Sequence, residues 1–129
     1  MSANEIDALI NEPMASTDQA SLDRLKRFGG GKLLGEMVAL YLEAAPERLA
    51  LARDGLAANN VKQVEDALHS LKSSSAQLGA MRMRALCERG EITARGGSLE
   101  HVDQIMNALY EELPRVRTWL ESARGAEES

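Results

Sequence analysis

The sequence predicts an all-α protein: an antiparallel four-helix bundle with a short additional N-terminal helix. Three observations predict it. Apolar residues make up 44% of the chain but aromatics only 3%. The core must therefore come from Leu, Ala, Val, Met and Ile, which with abundant Glu, Lys, Arg and Gln favour helices over strands. Apolar residues recur at three- and four-residue spacing, and the breaks between the periodic stretches are short. At 129 residues, the chain suits one domain with a real core.

Taken in order, residues 1–17 are weakly patterned. Ile6, Leu9 and Ile10 make a short amphipathic turn that Pro13 ends, so this stretch reads as a leader, mobile or loosely docked. Residues 18–124 form the bundle. Asp18 to Phe28 is the short first helix, with Leu22, Leu25 and Phe28 on one face, and Gly29-Gly30-Gly31 breaks it. Lys32 to Ala58 is a long helix carrying Leu34, Met37, Val38, Tyr41, Ala45, Leu49, Ala52 and Leu56; Pro46 should kink it or begin a second segment. After the Asn59-Asn60 turn, Val61 to about Leu78 repeats Val61, Val64, Leu68, Leu71, Ser75 and Leu78 on one face, and Gly79 ends it.

Ala80 to about Ala94 is the next helix, with Met81, Met83, Leu86, Cys87 and Ile92 as its apolar content and Gly90 as a weak point. Gly96-Gly97 closes it. Ser98 caps the last helix, whose stripe is Leu99, Val102, Met106, Leu109, Leu113, Val116 and Leu120, with a bend at Pro114. Residues 125–129 read as a polar tail.

Composition removes several function classes. A net charge of −5 disfavours a nucleic-acid binder. The single cysteine, Cys87, forms no intramolecular disulfide and points to a reducing compartment. No apolar run is long enough to span a bilayer, and the N-terminus lacks the basic-then-apolar order of a secretory signal. The expectation is a soluble, cytoplasmic protein, a monomer, with no membrane and no nucleic acid among its partners. Gly29-Gly30-Gly31-Lys32 is not a phosphate loop: the spacing differs, Leu33 follows the lysine and no strand precedes it. His69, His101 and Cys87 fall on different helices without metal-ligand spacing, which argues against a metal or haem bundle.

The stretch with chemistry in it is Ala67-Leu68-His69-Ser70-Leu71-Lys72-Ser73-Ser74-Ser75-Ala76-Gln77-Leu78-Gly79. At about 100° per residue, His69 lies roughly 140° from the middle of the apolar stripe, so it faces solvent or the rim between helices. Lys72 and Ser73 follow it on the same surface, one turn on. A neutral imidazole is a good nucleophile toward phosphorus, a nearby ammonium steadies phosphoryl oxygens, and short side chains let a second protein approach. From His69 to Gly97 five basic residues face two acids, a net of +3 on a chain whose remainder carries −8. Such a local field attracts an anionic partner. On spacing alone the plain alternative stays open, that His69 is an ordinary exposed helix residue. His101, beside Glu100 and Asp103 in the first turn of the last helix, reads as a solvated surface histidine.

The pattern AxHxLKxxxxxxG, from Ala67 through His69 and Lys72 to Gly79, resembles the histidine-containing phosphotransfer (HPt) domain of multistep phosphorelays. Glu43-Ala44-Ala45-Pro46-Glu47-Arg48-Leu49 is similar to that family's long helix with its proline, and Leu86-Cys87-Glu88-Arg89 to the helix after the site. The resemblance implies that His69 accepts a phosphoryl group from the aspartate of a receiver domain and relays it to another. It implies that Lys72 stabilises phosphohistidine and that Gly79 closes the motif. By position Glu91 would hold the far ring nitrogen, and Arg95 is a weaker candidate for a basic contact.

The partners implied are receiver domains of response regulators, a hybrid sensor histidine kinase, or both. No cofactor is expected on this chain, Mg²⁺ belonging to the partner receiver domain, and no autonomous kinase activity. Three features depart from the family: Leu68 directly before the histidine, Ser73 where a glycine is usual, and a carboxylate at Glu91 where glutamine is common. The alternative function is a non-catalytic helical adaptor in which the histidine is incidental.

Overall fold

The computed structural model describes residues 3–11 and 16–128. Among the described residues are five helices: α1 (Ala3–Asn11), α2 (Gln19–Ala57), α3 (Val61–Leu78), α4 (Met81–Arg95) and α5 (Val102–Glu128). α3 packs against α2 and α4, and α5 closes the square against the same two helices. The connections α2–α3 and α3–α4 span only two or three residues, so consecutive helices run antiparallel.

The periodic stripes turn inward. Val64, Leu68, Leu71 and Leu78 of α3 are buried, as are Leu34, Val38, Ala45, Leu49 and Ala52 of α2 and Val102, Met106, Leu109, Val116 and Leu120 of α5. Ser75 belongs to this core because its hydroxyl meets that of Tyr41 at 2.8 Å, satisfying both buried groups and tying α2 to α3. Burial pushes the Tyr41 phenol pKa up, so it stays protonated. Asp18 caps α2 through the Ala20 N–H, and Asn60 caps α3 through that of Gln63. Gly79 ends α3 at φ 82°, where glycine carries no side-chain penalty.

The expected glycine break is present: α2 is two helical segments that meet at a kink at Gly30 (φ 76°, ψ −177°). Other elements differ from the pattern. Pro46 begins no second segment: Gly30 is the residue of α2 with non-helical dihedrals, and the proline costs the helix only one backbone donor. Phe28 is 89% exposed. It lines the wall of an open cavity with Leu25 and with Gln77 of α3 instead of entering the core. Ile92 is 46% exposed, because the inward face of α4 is completed by Gly90, Glu91 and Ala94 instead. The last helix begins at Val102, after Ser98 has accepted a hydrogen bond from the Glu100 N–H, and it continues through the expected tail to Glu128.

His101 lies before that helix at φ 65°, its carbonyl accepting from Gln104 and Ile105. Its side chain is 21% exposed and pairs with Glu100 at 3.4 Å, so it is less solvated than its neighbours in sequence suggest. Residues 1–17, read as a mobile or loosely docked leader, hold α1. Ile6 is buried there, Leu9 and Ile10 pack against the core, and the Arg82 guanidinium donates to the Ile10 carbonyl. Pro13, expected to end this turn, lies outside the described residues.

Candidate functional site

The site is built by a close approach of α3 and α4. Gly90 is buried, and a Cβ there would lie 2.5 Å from Leu68 Cδ1. The residue read from sequence as a weak point is the one that lets the two helices meet. Leu68 precedes His69 and Gly90 precedes Glu91, so this contact sets the reactive groups side by side.

His69 stands on the outer surface with its side chain 60% exposed, and its Nδ1 lies 2.7 Å from Glu91 Oε1. Glu91 is 1% exposed, one of two buried acidic side chains among the described residues, with Glu112. Three cationic or ionisable groups surround it. Arg95 Nη2 donates to Oε1 at 2.5 Å, and Lys72 Nζ sits 2.7 Å from Oε2. The two carboxylate oxygens divide the work: Oε1 takes His69 and Arg95, and Oε2 takes the Lys72 ammonium. Burial alone would raise the Glu91 pKa. The Lys72 ammonium and the His69 imidazole outweigh it and hold the carboxyl below the usual carboxylate range. Glu91 is therefore an ionised acceptor at neutral pH.

An ionised acceptor at Nδ1 fixes the tautomer. The Nδ1 proton points at Glu91, and the Nε2 lone pair is left on the exposed edge of the ring. The site can thus present a nucleophilic nitrogen to an incoming molecule, with an ammonium one turn away for an anion delivered there.

The structure brings His69, Lys72, Glu91 and Arg95 together. Ser73 is exposed one turn from His69, a short side chain on the approach surface. Gly79 is not at the site. It lies ten residues on, about 15 Å along the helix, against Asp18 and Ser21. The positive stretch from His69 to Gly97 is not a single field either. Arg82 turns to Glu112 and to the Ile10 carbonyl, and Arg84 pairs with Glu88 at 3.8 Å.

Two participants escaped the sequence reading. Glu65 receives Arg95 Nε at 3.3 Å, and Arg48 of α2 donates to Ser70 Oγ at 3.1 Å. Glu65 had a visible signal, four residues before His69 on the same side of α3. Arg48 had none, since its contact depends on how α2 and α3 are aligned. Cys87 is fully buried, and burial pushes its thiol pKa up, which leaves it an inert core residue. Among the described residues no cluster of three or more His, Cys, Asp or Glu side chains could hold a metal ion, and no helix is long and apolar enough to cross a membrane.

The chain is 37% identical over 73 residues to multistep phosphorelay regulator 1 of Schizosaccharomyces pombe, a match that covers 57% of this chain and 24% of that protein. The chain thus spans about a quarter of the length of that relative. The crystal structure of histidine-containing phosphotransfer protein B from Pseudomonas aeruginosa PAO1 superposes with a TM-score of 0.81 over 90% of this chain and 98% of that one. At 22% identity this likeness establishes the shared helical-bundle fold. The Hpt domain model matches residues 36–119, a span that includes α3 and α4 entire. This chain belongs to the Hpt domain family.

Proposed function

We propose that this protein is a phosphocarrier of a multistep phosphorelay, with His69 as the residue that takes and gives the phosphoryl group. The observation that carries the reading is the hydrogen bond from the exposed imidazole to a buried, ionised carboxylate, which directs Nε2 outward. The Nε2 lone pair attacks the phosphorus of an aspartyl phosphate on a receiver domain. The bond from phosphorus to the aspartyl oxygen breaks, and that carboxylate leaves. The ring keeps its Nδ1 proton and becomes cationic, and Glu91 beside it stabilises that charge. In the reverse direction the proton retained on Nδ1 lets the ring leave as neutral imidazole rather than as an anion, and Glu91 holds that proton in place.

Lys72 supports the phosphoryl oxygens, and Ser73 keeps the approach to Nε2 open. The chemistry draws on no nucleotide or metal of this chain. Mg²⁺ and the acidic pocket are the receiver domain's, and the chain acts as a carrier rather than a kinase. The partners are receiver domains of response regulators or of a hybrid sensor kinase, and the setting is cytoplasmic, with the protein working as a monomer. Incubation with a receiver domain carrying radiolabelled aspartyl phosphate tests the reading. Wild type gains acid-labile, alkali-stable label, and His69→Gln gains none. Equal labelling of the two would refute it.

A further inference from the structure

We propose that Arg95, fixed in place by Glu65, is a positioning residue that keeps Glu91 charge-balanced, which frees Lys72 for the phosphoryl group and keeps His69 in its neutral, nucleophilic form. The inference rests on the phosphocarrier reading and adds a control over the same imidazole.

Two demands on the site conflict. A buried carboxylate beside the ring favours imidazolium, which is not a nucleophile. Lys72, the cation placed to meet the phosphoryl oxygens, sits 2.7 Å from Glu91 Oε2 before any phosphate arrives. Were Lys72 the sole counter-charge, drawing it to the phosphate would strand a buried anion, a costly arrangement.

Arg95 resolves both demands. It is one turn after Glu91 on α4, and it donates to Oε1, the same oxygen that holds His69. Its Nε is engaged by Glu65 Oε1 at 3.3 Å, across on α3. The guanidinium is thereby spanned between two carboxylates, while Lys72 pairs with Glu91 alone, at Oε2. Arg95 is anchored, and Lys72 is the cation able to leave. When Lys72 moves to the phosphoryl oxygens, Glu91 keeps one full counter-charge.

The groups facing the imidazole are few. Glu65 and Lys72 share its helix, and Glu91 and Arg95 face it from α4. From α2, Arg48 reaches Ser70 beside it. α5 faces α4 with Glu112, which pairs with Arg82 rather than with the site. Cys87, below Glu91, is held neutral by burial.

The test compares wild type, Arg95→Ala, Arg95→Lys and Glu65→Gln, with Arg117→Ala, whose partner is Glu121 on α5, as the control for losing any arginine. Arg95 is 59% exposed, so its removal opens no core cavity. NMR titration of the His69 ring nitrogens requires no phosphorylation and judges the proposal even if phosphotransfer fails. The midpoint should rise by about half a unit or more in Arg95→Ala, by less in Glu65→Gln, and return toward wild type in Arg95→Lys. The acid limb of the phosphotransfer rate should move upward with it, and the phosphohistidine half-life should fall several-fold. In a Glu91→Gln background the charge to be balanced is gone, and Arg95→Ala should change neither midpoint nor half-life. An unmoved midpoint in Arg95→Ala, a shift equal to that of Arg117→Ala, or an undiminished effect in the Glu91→Gln background would each overturn the proposal. Failure of wild type to accept phosphate would overturn the phosphocarrier reading instead.

Discussion

Replacing Gly79 by alanine separates a folding role for the motif glycine from a chemical one. Gly79 sits at φ 82°, and an alanine Cβ there would lie 2.5 Å from the Asp18 carbonyl oxygen and 2.9 Å from Ser21 Cβ. The left-handed conformation costs a non-glycine residue about 1–2 kcal/mol. The crowding is against backbone, and it strains the 2.8 Å hydrogen bond from the Asp18 N–H to the Gly79 carbonyl, adding roughly 1–2 kcal/mol. The expected loss is about 2–4 kcal/mol, read by urea denaturation with an unchanged m-value. Gly97→Ala is the matched control, with φ 86° and open space around the new methyl. It should lose only the left-handed cost, about 1–2 kcal/mol. The smaller entropy of an unfolded chain with alanine is common to both and cancels. Phosphotransfer per folded molecule should be unchanged in Gly79→Ala, because the residue is about 15 Å along the helix from His69. Equal losses in the two variants would show that Asp18 and Ser21 do not press on Gly79. Lost transfer in molecules that remain folded would return the glycine to the site.

Three further predictions follow from the site and its support. Lys72→Ala should leave the bundle folded while shortening the phosphohistidine half-life several-fold; an unchanged half-life would remove Lys72 from the site. Glu91 has a carboxyl pKa below the ordinary range, so its contribution to stability is present above the unfolded value of about 4.3 and is lost as pH falls through the lower folded value. Unfolding free energy should therefore drop less steeply on acidification in Glu91→Gln than in wild type, and parallel curves would contradict the ionised state assigned to Glu91. Leu71 is fully buried between α3 and its neighbours, and Leu71→Ala should cost about 2–5 kcal/mol; a loss under about 0.5 kcal/mol would mean that the helical phase of α3 is wrong.

How far the sequence carried the fold can be argued from particular residues. Leu68, Leu71, Ser75 and Leu78 are buried while His69 is exposed, and both facts follow from a 3.6-residue period within one helix. The Glu91 position came from family resemblance, and its burial did not follow from composition or spacing. A carboxylate that reads as surface charge is nearly fully buried because His69, Lys72 and Arg95 converge on it from two helices. Periodicity says which face of a helix is apolar and nothing about the rotational setting of two helices. Gly90 shows the same limit. Its cost to α4 was legible locally, but its use, the close approach to Leu68, exists only once α3 is in place. Phe28 and Ile92 failed in the opposite way. Each is an apolar residue whose phase or type suggested burial, at a place where no neighbouring element covers it.

The central claim is that Glu91 holds Nδ1 and leaves Nε2 of His69 as the phosphoryl acceptor. Phosphorylating ¹⁵N-histidine-labelled protein with a phosphorylated receiver domain, and locating the phosphorus–nitrogen coupling by NMR, tests it most directly. The account predicts a single phosphorylated ring, that of His69, with phosphorus on Nε2 and a proton retained on Nδ1. Phosphorus on Nδ1, or on His101, would contradict it.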